Sequence, residues 1–585
     1  MQDPMTDEPH TDVLVIGAGP TGLTLACDLA RRGVAHRIVE RDPLPNRASK
    51  AKTIQSRSLE VLDDLGAVDH VLRRGVAGLP LRFHEPTGAI VDRPSISVRA
   101  KESFSTPYPD ALWIGQFDVE RALRERLEDR GGRVEFATEA VGLDQDDTGV
   151  TVTLRTPGGR ETVRARYVVG ADGGRSGTRG LIGLPLNGET YEQQRWYLGD
   201  VTGPDLDRDH IHIWPSAHGM LGLTPLPGSD LWQFQSPIAP GAEPGVPSRE
   251  LYQQLLDERA GAGSVVLSGA TWLSVYRVNV RMVEDYRKGR VLLAGDAAHV
   301  HSPAGGQGMN TGIQDAYNLG WKLAGVLVEG ADPSLLDTYA AERIPVARTV
   351  LAASTEKMRR VVGQADRGSE DGLGTALSGI ADGAMTTGLG IRYRTSPLTQ
   401  HGAPEPAPEP GSEPGSEPGP RLPHDPLHDL PPGPLPGDRA PNVGGLKGRA
   451  FTADLSDLSD ITDLRVLSEP SDLSVLPDVF DLFDLLRGPH WSLLAYEHPE
   501  PVTRDRATPT RLHVHRIGRA PDSDVVDAEG EFRRTYRPLP GELILIRPDG
   551  HIAARLPARR ATEIIRHLAP FRLLGNHVGQ IQELT

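Results

Sequence analysis

The chain contains 585 residues, 38 % of them hydrophobic, and carries a formal net charge of −16. This length predicts about two to four domains, and the acidic charge without a clustered basic stripe argues against a nucleic-acid partner. Because Cys27 is the only cysteine, the chain cannot form an intrachain disulfide. The polar amino terminus and the lack of a long apolar run predict a cytoplasmic protein that neither spans nor binds a membrane.

The first motif is a glycine-rich turn between a strand and a helix. An apolar strand is predicted from Asp12 to Ile16, the turn G-x-G-x-x-G occupies Gly17 to Gly22, and a helix follows from Leu23 to Arg32. In this motif the first glycine makes the tight turn, the second lets a pyrophosphate approach the backbone, and the third lets helix and strand pack closely. The next strand, His36 to Val39, ends in Glu40, at the spacing where a carboxylate accepts ribose hydroxyls. The segment therefore predicts a dinucleotide site.

Two further strand ends complete the pattern. An apolar strand runs into an Asp-Gly turn at Asp172. Another one, Val291 to Ala294, ends at Gly295-Asp296 and is followed by a Pro/Gly-rich loop over 303–312 and a helical pattern. Glycines in such a loop let backbone N–H groups approach a planar or anionic ligand. Three strand-end loops directed at one ligand favour a dinucleotide larger than NAD.

Together these segments resemble the class A flavoprotein monooxygenases, the single-component FAD-dependent aromatic hydroxylases. That family carries G-x-G-x-x-G near the amino terminus, a central Asp-Gly motif, and a late Gly-Asp motif followed by a Pro/Gly loop. All three occur here in that order, as Gly17 to Gly22, Asp172-Gly173 and Gly295-Asp296. The resemblance covers about residues 10 to 395 and is strongest to aromatic polyketide hydroxylases and phenol-type hydroxylases.

The resemblance implies an α/β fold with several domains. These are a Rossmann-like FAD-binding domain of the GR2 type, an inserted antiparallel β-sheet substrate domain, and a C-terminal thioredoxin-like α/β domain that lacks redox cysteines. We place the first part of the FAD-binding domain at 11–183, the substrate domain at 184–275, and the return of the FAD-binding domain, with a long helix, at 276–395. A Pro/Gly-rich disordered linker is predicted at 396–440, because its prolines and glycines bury too little surface to fold, and the C-terminal domain at 441–585.

The activity implied by the resemblance is hydroxylation of a phenolic, polycyclic, polyketide-type aromatic substrate, as in antibiotic biosynthesis. FAD is the resident cofactor, and NADPH or NADH docks transiently as the electron donor. The reduced flavin reacts with O2 to give a C4a-hydroperoxide, and the protein supplies orientation, water exclusion and electrostatics. A homodimer is one possible assembly.

Three alternatives remain open from the sequence. Baeyer–Villiger oxygenation of a ketone uses the same fold, and no residue in the sequence separates it from hydroxylation. A flavin oxidase or dehydrogenase would transfer hydride without inserting oxygen, and the Pro/Gly loop argues against it. A non-enzymatic flavin-binding protein is the third alternative, and the complete set of flavin motifs argues against that interpretation.

Motif matching predicts the cofactor-binding residues. They are Gly17, Gly19, Pro20, Thr21, Gly22, Glu40, Arg41, Lys50, Gln116, Asp172, Gly295, Asp296, Pro303, Gly306, Gly308, Met309 and Asn310. The resemblance places the residues from Pro303 to Asn310 along the isoalloxazine ring and Lys50 and Gln116 near the flavin pyrophosphate. Relatives usually carry Arg where Lys50 stands. Lysine keeps the charge but lacks the guanidinium fork.

The acid–base and substrate residues are predicted from the middle of the chain. A phenolate is needed for electrophilic hydroxylation, so a base or a cation should lower the pKa of the phenol, and His212, Tyr276 and Arg277 are the candidates. The apolar side chains expected to line the substrate pocket are Trp196, Trp214, Met220, Trp232 and Phe234. No metal site is expected, because no carboxylate or cysteine cluster completes the pair His299 and His301.

Overall fold

The computed structural model describes residues 10–95, 105–216, 219–239, 241–301, 306–365, 384–400, 433–448, 478–498, 512–521, 523–574 and 581. The chain divides into two compact units. The first unit comprises Met1–Glu102, Pro107–Gly330 and Leu335–Gly390, and the second comprises Ser103–Thr106, Ala331–Ser334 and Ile391–Thr585. Each unit contains both helices and sheets, so the predicted α/β class is confirmed.

The first unit contains most of the predicted elements, many within a few residues of their expected bounds. Its helices are α1 (Pro20–Arg31), α2 (Ser56–Leu65), α3 (Val68–Leu72), α4 (Gln116–Asp129), α5 (Gly177–Leu181), α6 (Arg249–Ala260), α7 (Gly308–Leu327), α8 (Asp337–Ala365) and α9 (Ala384–Thr387). Its strands are β1 (His10–Ile16), β2 (His36–Val39), β3 (Thr53–Ile54), β4 (Val76–Ala77), β5 (Leu81–His84), β6 (Ile90–Arg93), β7 (Leu112–Trp113), β8 (Val134–Glu135), β9 (Glu139–Gln145), β10 (Val150–Thr156), β11 (Gly159–Gly170), β12 (Asn187–Thr202), β13 (Ile211–Ser216), β14 (Gly219–Pro225), β15 (Trp232–Pro237), β16 (Gly269–Met282), β17 (Arg287–Lys288), β18 (Val291–Leu293) and β19 (His299–Val300).

The first sheet of this unit has a parallel centre. Its strands follow the order β17-β18-β11-β1-β2-β8, and β10 and β9 extend it from β11. The pairs β18–β11, β11–β1, β1–β2 and β2–β8 are parallel, whereas β17 and β10 are antiparallel to β18 and β11. The β1 side chains from Val13 to Val15 are fully buried, as expected of a strand covered on both faces. Since parallel strands end at the same edge, the loops after β1, β2, β11 and β18 meet there.

The second sheet is antiparallel at all but one pairing. Its order is β19-β16-β12-β15-β14-β13-β5-β6, and only β13 and β5 run parallel. Strands β5, β6 and β19 come from outside the predicted substrate range 184–275. One face of this sheet packs on α6 through an aromatic cluster that includes Trp232 and Tyr252.

The long helix expected in the return segment is α8, which contains Pro345. It lies beside α7, which is buried along most of its length. Two ion pairs link these helices: Lys322 Nζ lies 2.8 Å from Glu342 Oε2, and Arg343 Nε lies 2.6 Å from Asp315 Oδ1. Of the helices that the structure describes, none combines the length and apolar character of a membrane span.

The described residues of the second unit include a seven-stranded mixed sheet. Its strands are β20 (Leu446–Gly448), β21 (Val479–Phe480), β22 (Trp491–Tyr496), β23 (Leu512–Gly518), β24 (Val525–Val526), β25 (Glu542–Ile546) and β26 (Ile552–Pro557), and its helices are α10 (Leu482–Leu486), α11 (Glu531–Tyr536) and α12 (Ala561–Leu568). The sheet order is β21-β20-β24-β23-β22-β25-β26. Strands β22 and β23 run parallel, whereas β25 is antiparallel to both β22 and β26.

The two ends of the predicted linker lie in this second unit. Gln400 N donates to the Ala553 carbonyl at 2.8 Å, and Gly437 N donates to the Ile552 carbonyl at 2.7 Å. The rest of the predicted linker, 401–432, lies outside the described residues. The predicted domain boundaries remain predictions.

Candidate active site

A cavity of about 1400 Å³ lies in the first unit, between the carboxyl ends of the parallel strands and one face of the second sheet. It exceeds the roughly 300–1,000 Å³ of common single-ligand pockets, so it has room for a dinucleotide and a second molecule. The predicted cofactor residues in its wall are Gly17, Gly19, Pro20, Thr21, Glu40, Arg41, Lys50, Gln116, Asp172, Asp296, Gly306, Gly308 and Met309. Within the described part of the chain, Gly22, Gly295 and Asn310 lie behind this wall, and Pro303 lies outside the described residues.

The three glycines of the first turn have different surroundings. Gly17 has a φ of +104°, and a Cβ placed on it would lie 2.5 Å from the Ala171 carbonyl oxygen. A Cβ on Gly22 would lie 1.9 Å from the Gly17 carbonyl oxygen. A Cβ on Gly19 would meet no atom within 4 Å, because this position faces the cavity. Gly17 and Gly22 are therefore needed because the backbone packs too closely for a side chain. Gly19 leaves open space at the amino end of α1, where an anionic phosphate is favoured.

Glu40 fixes the loops on either side of it. Its Oε2 accepts a hydrogen bond from Ala18 N at 2.9 Å, and its Oε1 accepts one from Asp42 N at 3.0 Å. Each carboxylate oxygen has a second lone pair for a ligand hydroxyl. The position thus suits the predicted contact with a ribose while it holds the glycine turn in place.

Gln116 holds the segment that carries Lys50. At the first position of α4, its Oε1 accepts Ala51 N at 3.3 Å, and its Nε2 donates to Glu120 Oε1 at 2.8 Å. Burial raises the pKa of the Glu120 carboxyl to about 7. Lys50 and Arg41 are exposed residues of the cavity wall, where cations suit the phosphates and adenine of a dinucleotide.

Asp172 organises the central Asp-Gly turn. Its Oδ1 accepts from Ser176 Oγ at 2.5 Å, and its Oδ2 accepts from Thr178 N at 2.9 Å and Thr178 Oγ1 at 3.0 Å. These bonds tie the end of β11 to the start of α5. Asp172 therefore has a structural task in addition to its place in the cavity wall.

The late Gly-Asp turn is packed against the first motif. Gly295 has a φ of +62°, and a Cβ there would lie 2.5 Å from Thr21 Oγ1. The backbone N–H of Gly295 donates to Asp315 Oδ2 at 3.1 Å, which fixes the turn to α7. Asp296, the next residue, lies in the cavity wall.

A buried charge network supports that turn. Asp315 contacts His299 Nε2 at 2.7 Å and Arg343 Nε at 2.6 Å, and all three side chains are fully buried. Burial alone would raise the pKa of Asp315, but Arg343 and His299 hold it below its ordinary value. The ionised Asp315 is therefore stable inside the protein and continues to accept the Gly295 N–H.

The amino end of α7 is joined to the segment 53–55. A Cβ on Gly306, whose φ is +61°, would lie 2.2 Å from Thr53 Oγ1. Asn310 Nδ2 donates to the Thr53 carbonyl at 3.2 Å and to the Gly306 carbonyl at 2.7 Å. Gly308 and Met309 lie between them and face the cavity. This is the loop that the resemblance assigns to the isoalloxazine ring.

The second sheet forms the opposite wall of the cavity. On four strands of this wall the lining residues occupy every second position: Trp196 and Leu198 on β12, Ile211 and Ile213 on β13, Met220, Gly222 and Thr224 on β14, and Gln233 and Gln235 on β15. This spacing follows from the alternation of side chains between the two faces of a strand. The wall is apolar at β12 and β13 and polar at β15.

The predicted substrate residues divide between the two faces. Trp196 and Met220 line the cavity. Trp214, Trp232 and Phe234 do not, and they belong instead to the buried cluster between the sheet and α6. These three side chains therefore lie on the face of the sheet opposite the cavity, because neighbouring positions of a strand alternate between its two faces.

Of the acid–base candidates, His212 is placed away from the cavity among the described residues. Its Nε2 lies 2.8 Å from the Asp207 carbonyl and its Nδ1 lies 2.9 Å from His84 Nε2, on the same sheet face as Trp214. The structure therefore places this predicted acid–base residue in a buried position outside the cavity wall. Its neighbours Ile211 and Ile213 take the cavity positions.

Tyr276 and Arg277 both lie in the cavity wall. The Tyr276 hydroxyl donates to the His301 carbonyl at 3.2 Å. Burial, and to a lesser degree the charge of Asp296, raises the pKa of Tyr276 above its ordinary value. The Tyr276 hydroxyl therefore stays protonated near neutral pH, and Arg277 places a cationic side chain in the same wall.

Lys52 was missed by the sequence analysis and lies in the same wall. Its Nζ donates to Thr224 Oγ1 at 3.0 Å and to Gln235 Oε1 at 3.1 Å. Burial lowers its pKa to about 8, in part opposed by Asp200. In the sequence, Lys52 lies two residues after Lys50 and is not distinguished from the other cations of this polar segment. Only its contacts with the second sheet identify it as a site residue.

The described residues fit FAD. Three features lie along one cavity: the Glu40 carboxylate, the open position at Gly19 and the loop before α7. In this order they suit the adenosine ribose, the pyrophosphate and the isoalloxazine ring of FAD. As for metals, the described residues contain no group of three His, Cys, Asp or Glu side chains arranged as ligands.

Comparisons with known proteins identify the family of this chain. The family model described as "FAD binding domain" matches residues 10–354. A flavin-dependent monooxygenase of Mycobacteroides abscessus is 42 % identical over 60 % of this chain and 74 % of its own. The 6-methylpretetramide 4-monooxygenase of Streptomyces rimosus is 38 % identical over 68 % of this chain and 72 % of its own. The solved structure of aklavinone-11 hydroxylase with FAD and aklavinone is 25 % identical, with a TM-score of 0.73 over 97 % of this chain and 99 % of that one. The chain therefore belongs to the family of FAD-binding monooxygenases that includes the aromatic polyketide hydroxylases.

Proposed function

We propose that this enzyme hydroxylates a polycyclic phenol of the polyketide type, with NADPH or NADH as the electron donor and O2 as the oxygen source. The single observation that carries the proposal is the shared cavity of about 1400 Å³, in which the cofactor loops face the apolar positions of the second sheet. Relatives named for 6-methylpretetramide and aklavinone support the substrate class.

The chemistry that bound FAD supplies is the transfer of two electrons from NAD(P)H and of one oxygen atom from O2 to the aromatic ring, with the second oxygen leaving as water. The protein contributes position and electrostatics. Trp196, Leu198 and Ile213 offer apolar and aromatic surface to a flat ring system. Tyr276, whose raised pKa keeps its hydroxyl protonated, donates that proton to the His301 carbonyl, so its oxygen can accept a hydrogen bond from a substrate hydroxyl. Arg277 favours an anionic oxygen nearby.

Within the cofactor half, we assign the residues by the contacts they make. The open Gly19 turn and the amino end of α1 take the pyrophosphate. Glu40 takes the adenosine ribose, with Lys50 and Arg41 as the nearby cations of the wall. Asp296 takes the ribityl region, at a turn held in place by Asp315. These roles are part of the proposal.

For the second unit we propose a thioredoxin-like core. The order β23-β22-β25-β26, with β22 and β23 parallel and a terminal antiparallel pair before α12, supports this proposal. Because Cys27 is the only cysteine in the chain, such a core cannot perform dithiol chemistry. The predicted cytoplasmic location and homodimer remain predictions.

The test is oxidation of NADPH and of NADH by the purified flavoprotein, with and without a panel of hydroxyanthraquinones and naphthacene phenols, with mass analysis of the products. The proposal expects stimulated oxidation and a product that has gained one oxygen atom. NMR of that product separates hydroxylation from the Baeyer–Villiger alternative, in which a ring is expanded beside a ketone. Substrate oxidation without oxygen gain would instead support the oxidase or dehydrogenase alternative.

A further inference from the structure

Lys52 is the lysine that reaches across the cavity to the second sheet. It directly precedes β3, and its Nζ bridges Thr224 on β14 and Gln235 on β15 at 3.0 and 3.1 Å. Both partners also line the cavity. An ammonium has three N–H donors, and these two neutral acceptors use only two of them. The head group therefore lies at the cavity surface with capacity for a ligand.

The charge of Lys52 is not neutralised by its direct contacts. Among the described residues, its hydrogen-bond partners include no carboxylate. Asp200, the charged group that acts on it from β12, already accepts Ser49 N at 2.6 Å and Ser49 Oγ at 2.5 Å. On its other side, Nζ lies 5.9 Å from the ring centroid of Trp113 on β7. A partly desolvated cation with neutral hydrogen-bond partners attracts an anion strongly.

Lys52 is also fixed beside the loop assigned to the isoalloxazine ring. Its neighbour Thr53 packs closely against Gly306. A Cβ on Gly306 would lie 2.2 Å from Thr53 Oγ1. The Thr53 carbonyl accepts Asn310 Nδ2 at 3.2 Å. The lysine is thus held between the cofactor half of the cavity and its substrate wall, where a reacting ring must lie.

We propose that the Lys52 ammonium binds the ionised phenolic or enolic oxygen of the substrate and so selects acidic polycyclic phenols. This inference rests on the proposed function. On binding, the substrate O–H bond breaks, its electron pair stays on the oxygen as the phenolate, and the proton passes to solvent. The negative charge on the ring oxygen then activates the ring carbons toward an electrophilic oxygen.

The ionisation state of Lys52 supports this role. Its pKa is lowered to about 8 by burial, although Asp200 acts in the opposite direction. At neutral pH the group is still mainly an ammonium, and it lacks only a counter-charge. A bound phenolate would supply that charge and would restore the pKa of the lysine toward its ordinary value. Binding of the anion and protonation of Lys52 therefore favour each other.

The experiment measures how the FAD-bound enzyme binds two matched ligands. Alizarin is a hydroxyanthraquinone whose visible absorption moves to longer wavelength when its phenol ionises, and its dimethyl ether has the same ring system but no ionisable proton. Both are titrated into wild type, Lys52→Met, Lys52→Arg and the control Lys447→Met, which changes an exposed lysine of the second unit. Flavin content and melting temperature are recorded for each protein.

Wild type is expected to lower the pKa of bound alizarin by about one unit, which corresponds to a tenfold preference for the anion. Lys52→Met should lose this shift and bind alizarin about tenfold more weakly at neutral pH, with less than about twofold change for the ether. Lys52→Arg should keep the shift because it keeps the charge, and Lys447→Met should match wild type.

Three results would overturn the inference. The first is an equal shift in the pKa of bound alizarin in wild type and Lys52→Met. The second is an equal loss of affinity for alizarin and its dimethyl ether in Lys52→Met. The third is that wild type binds neither ligand. Oxygen insertion into polycyclic phenols by wild type decides separately whether the proposed function stands. If insertion occurs while one of these results is found, only the role of Lys52 falls.

Discussion

The side-chain oxygen of Asn310 accepts the backbone N–H of Gln55 at 2.8 Å, although 255 residues separate the two in the sequence. Through its Nδ2, the same side chain donates to the carbonyls of Thr53 and Gly306. One buried amide thus joins the start of α7, the loop before it and the segment that carries Lys52. It lies behind the cavity wall and positions the residues that form it.

Replacing Asn310 should test this positioning role. Asn310→Ala leaves the Gln55 N–H and two carbonyls without their partners, so we expect a loss of about 2–4 kcal/mol in unfolding free energy and weaker FAD retention. Asn310→Asp keeps the acceptor for Gln55 but loses both donors. Urea unfolding and flavin content should therefore rank wild type above both variants. Equal values for all three proteins would show that the amide does not hold the loop.

Two glycines of the first turn should respond differently to alanine. In Gly19→Ala the added methyl enters open cavity space, so the apoprotein should unfold within about 0.5 kcal/mol of wild type while FAD affinity falls at least about tenfold. In Gly22→Ala the methyl would meet the Gly17 carbonyl oxygen at 1.9 Å, so stability itself should fall, by about 2 kcal/mol or more. The measurements are urea unfolding of apoprotein and flavin fluorescence titration. A stable Gly19→Ala variant with unchanged FAD affinity would contradict the assignment of the pyrophosphate.

Two tryptophans on opposite faces of the second sheet provide a matched pair. Trp196→Ala removes a cavity side chain, so KM for an aromatic substrate should rise about fivefold or more, with little change in stability. Trp214→Ala empties part of the cluster against α6 and should cost about 3–5 kcal/mol of stability. Steady-state kinetics and urea unfolding measure both. If the two substitutions had the same effect on KM, the assignment of the faces would be wrong.

The sequence signals for the proposed cofactor half of the site are local in the chain. A glycine turn, a strand and a spaced carboxylate are contiguous in the chain, and Gly17, Glu40 and Asp172 lie together in the cavity wall as expected. The bounds of one strand were also accessible, since β2 begins at His36 and ends at Val39 as predicted.

The substrate half could not be derived in the same way. The second sheet includes β5 and β6, which lie about a hundred residues before β12 in the chain. No local sequence pattern predicts that pairing. Which face of a strand meets the cavity depends on what packs on the other face. Here α6 packs there, and the structure places Trp232 on that side rather than in the cavity wall. Lys52 acquires its role only through its hydrogen bonds to β14 and β15, which are distant in the sequence.

The pH dependence of the unfolding free energy should show that the Lys52 ammonium is partly desolvated in the folded protein. Its pKa of about 8 in the folded protein lies below the ordinary lysine value near 10.4, so between these values the unfolded chain binds more protons. The stability of wild type relative to Lys52→Met should therefore improve as the pH rises through this range. Near neutral pH, Lys52→Met should be the more stable protein by about 1–3 kcal/mol, because it removes a desolvated ammonium.

This prediction is measured by urea unfolding of both proteins at about pH 7 and about pH 9.5, with Lys447→Met as the exposed control. The difference in unfolding free energy between wild type and Lys52→Met should become smaller at the higher pH, whereas Lys447→Met should show the same pH dependence as wild type. A difference that does not change with pH would show that Lys52 is not held as a strained cation.

The central claim is that one cavity brings a flavin and a polycyclic phenol together for insertion of oxygen. It is tested most directly by turnover of a substrate that stimulates NADPH oxidation, under dioxygen labelled with a heavy isotope, followed by mass spectrometry of the product. The account predicts that the product carries one labelled oxygen atom on an aromatic carbon and that Gly19→Ala lowers the yield together with flavin content. A product without label, or one whose new oxygen comes from water, would contradict it.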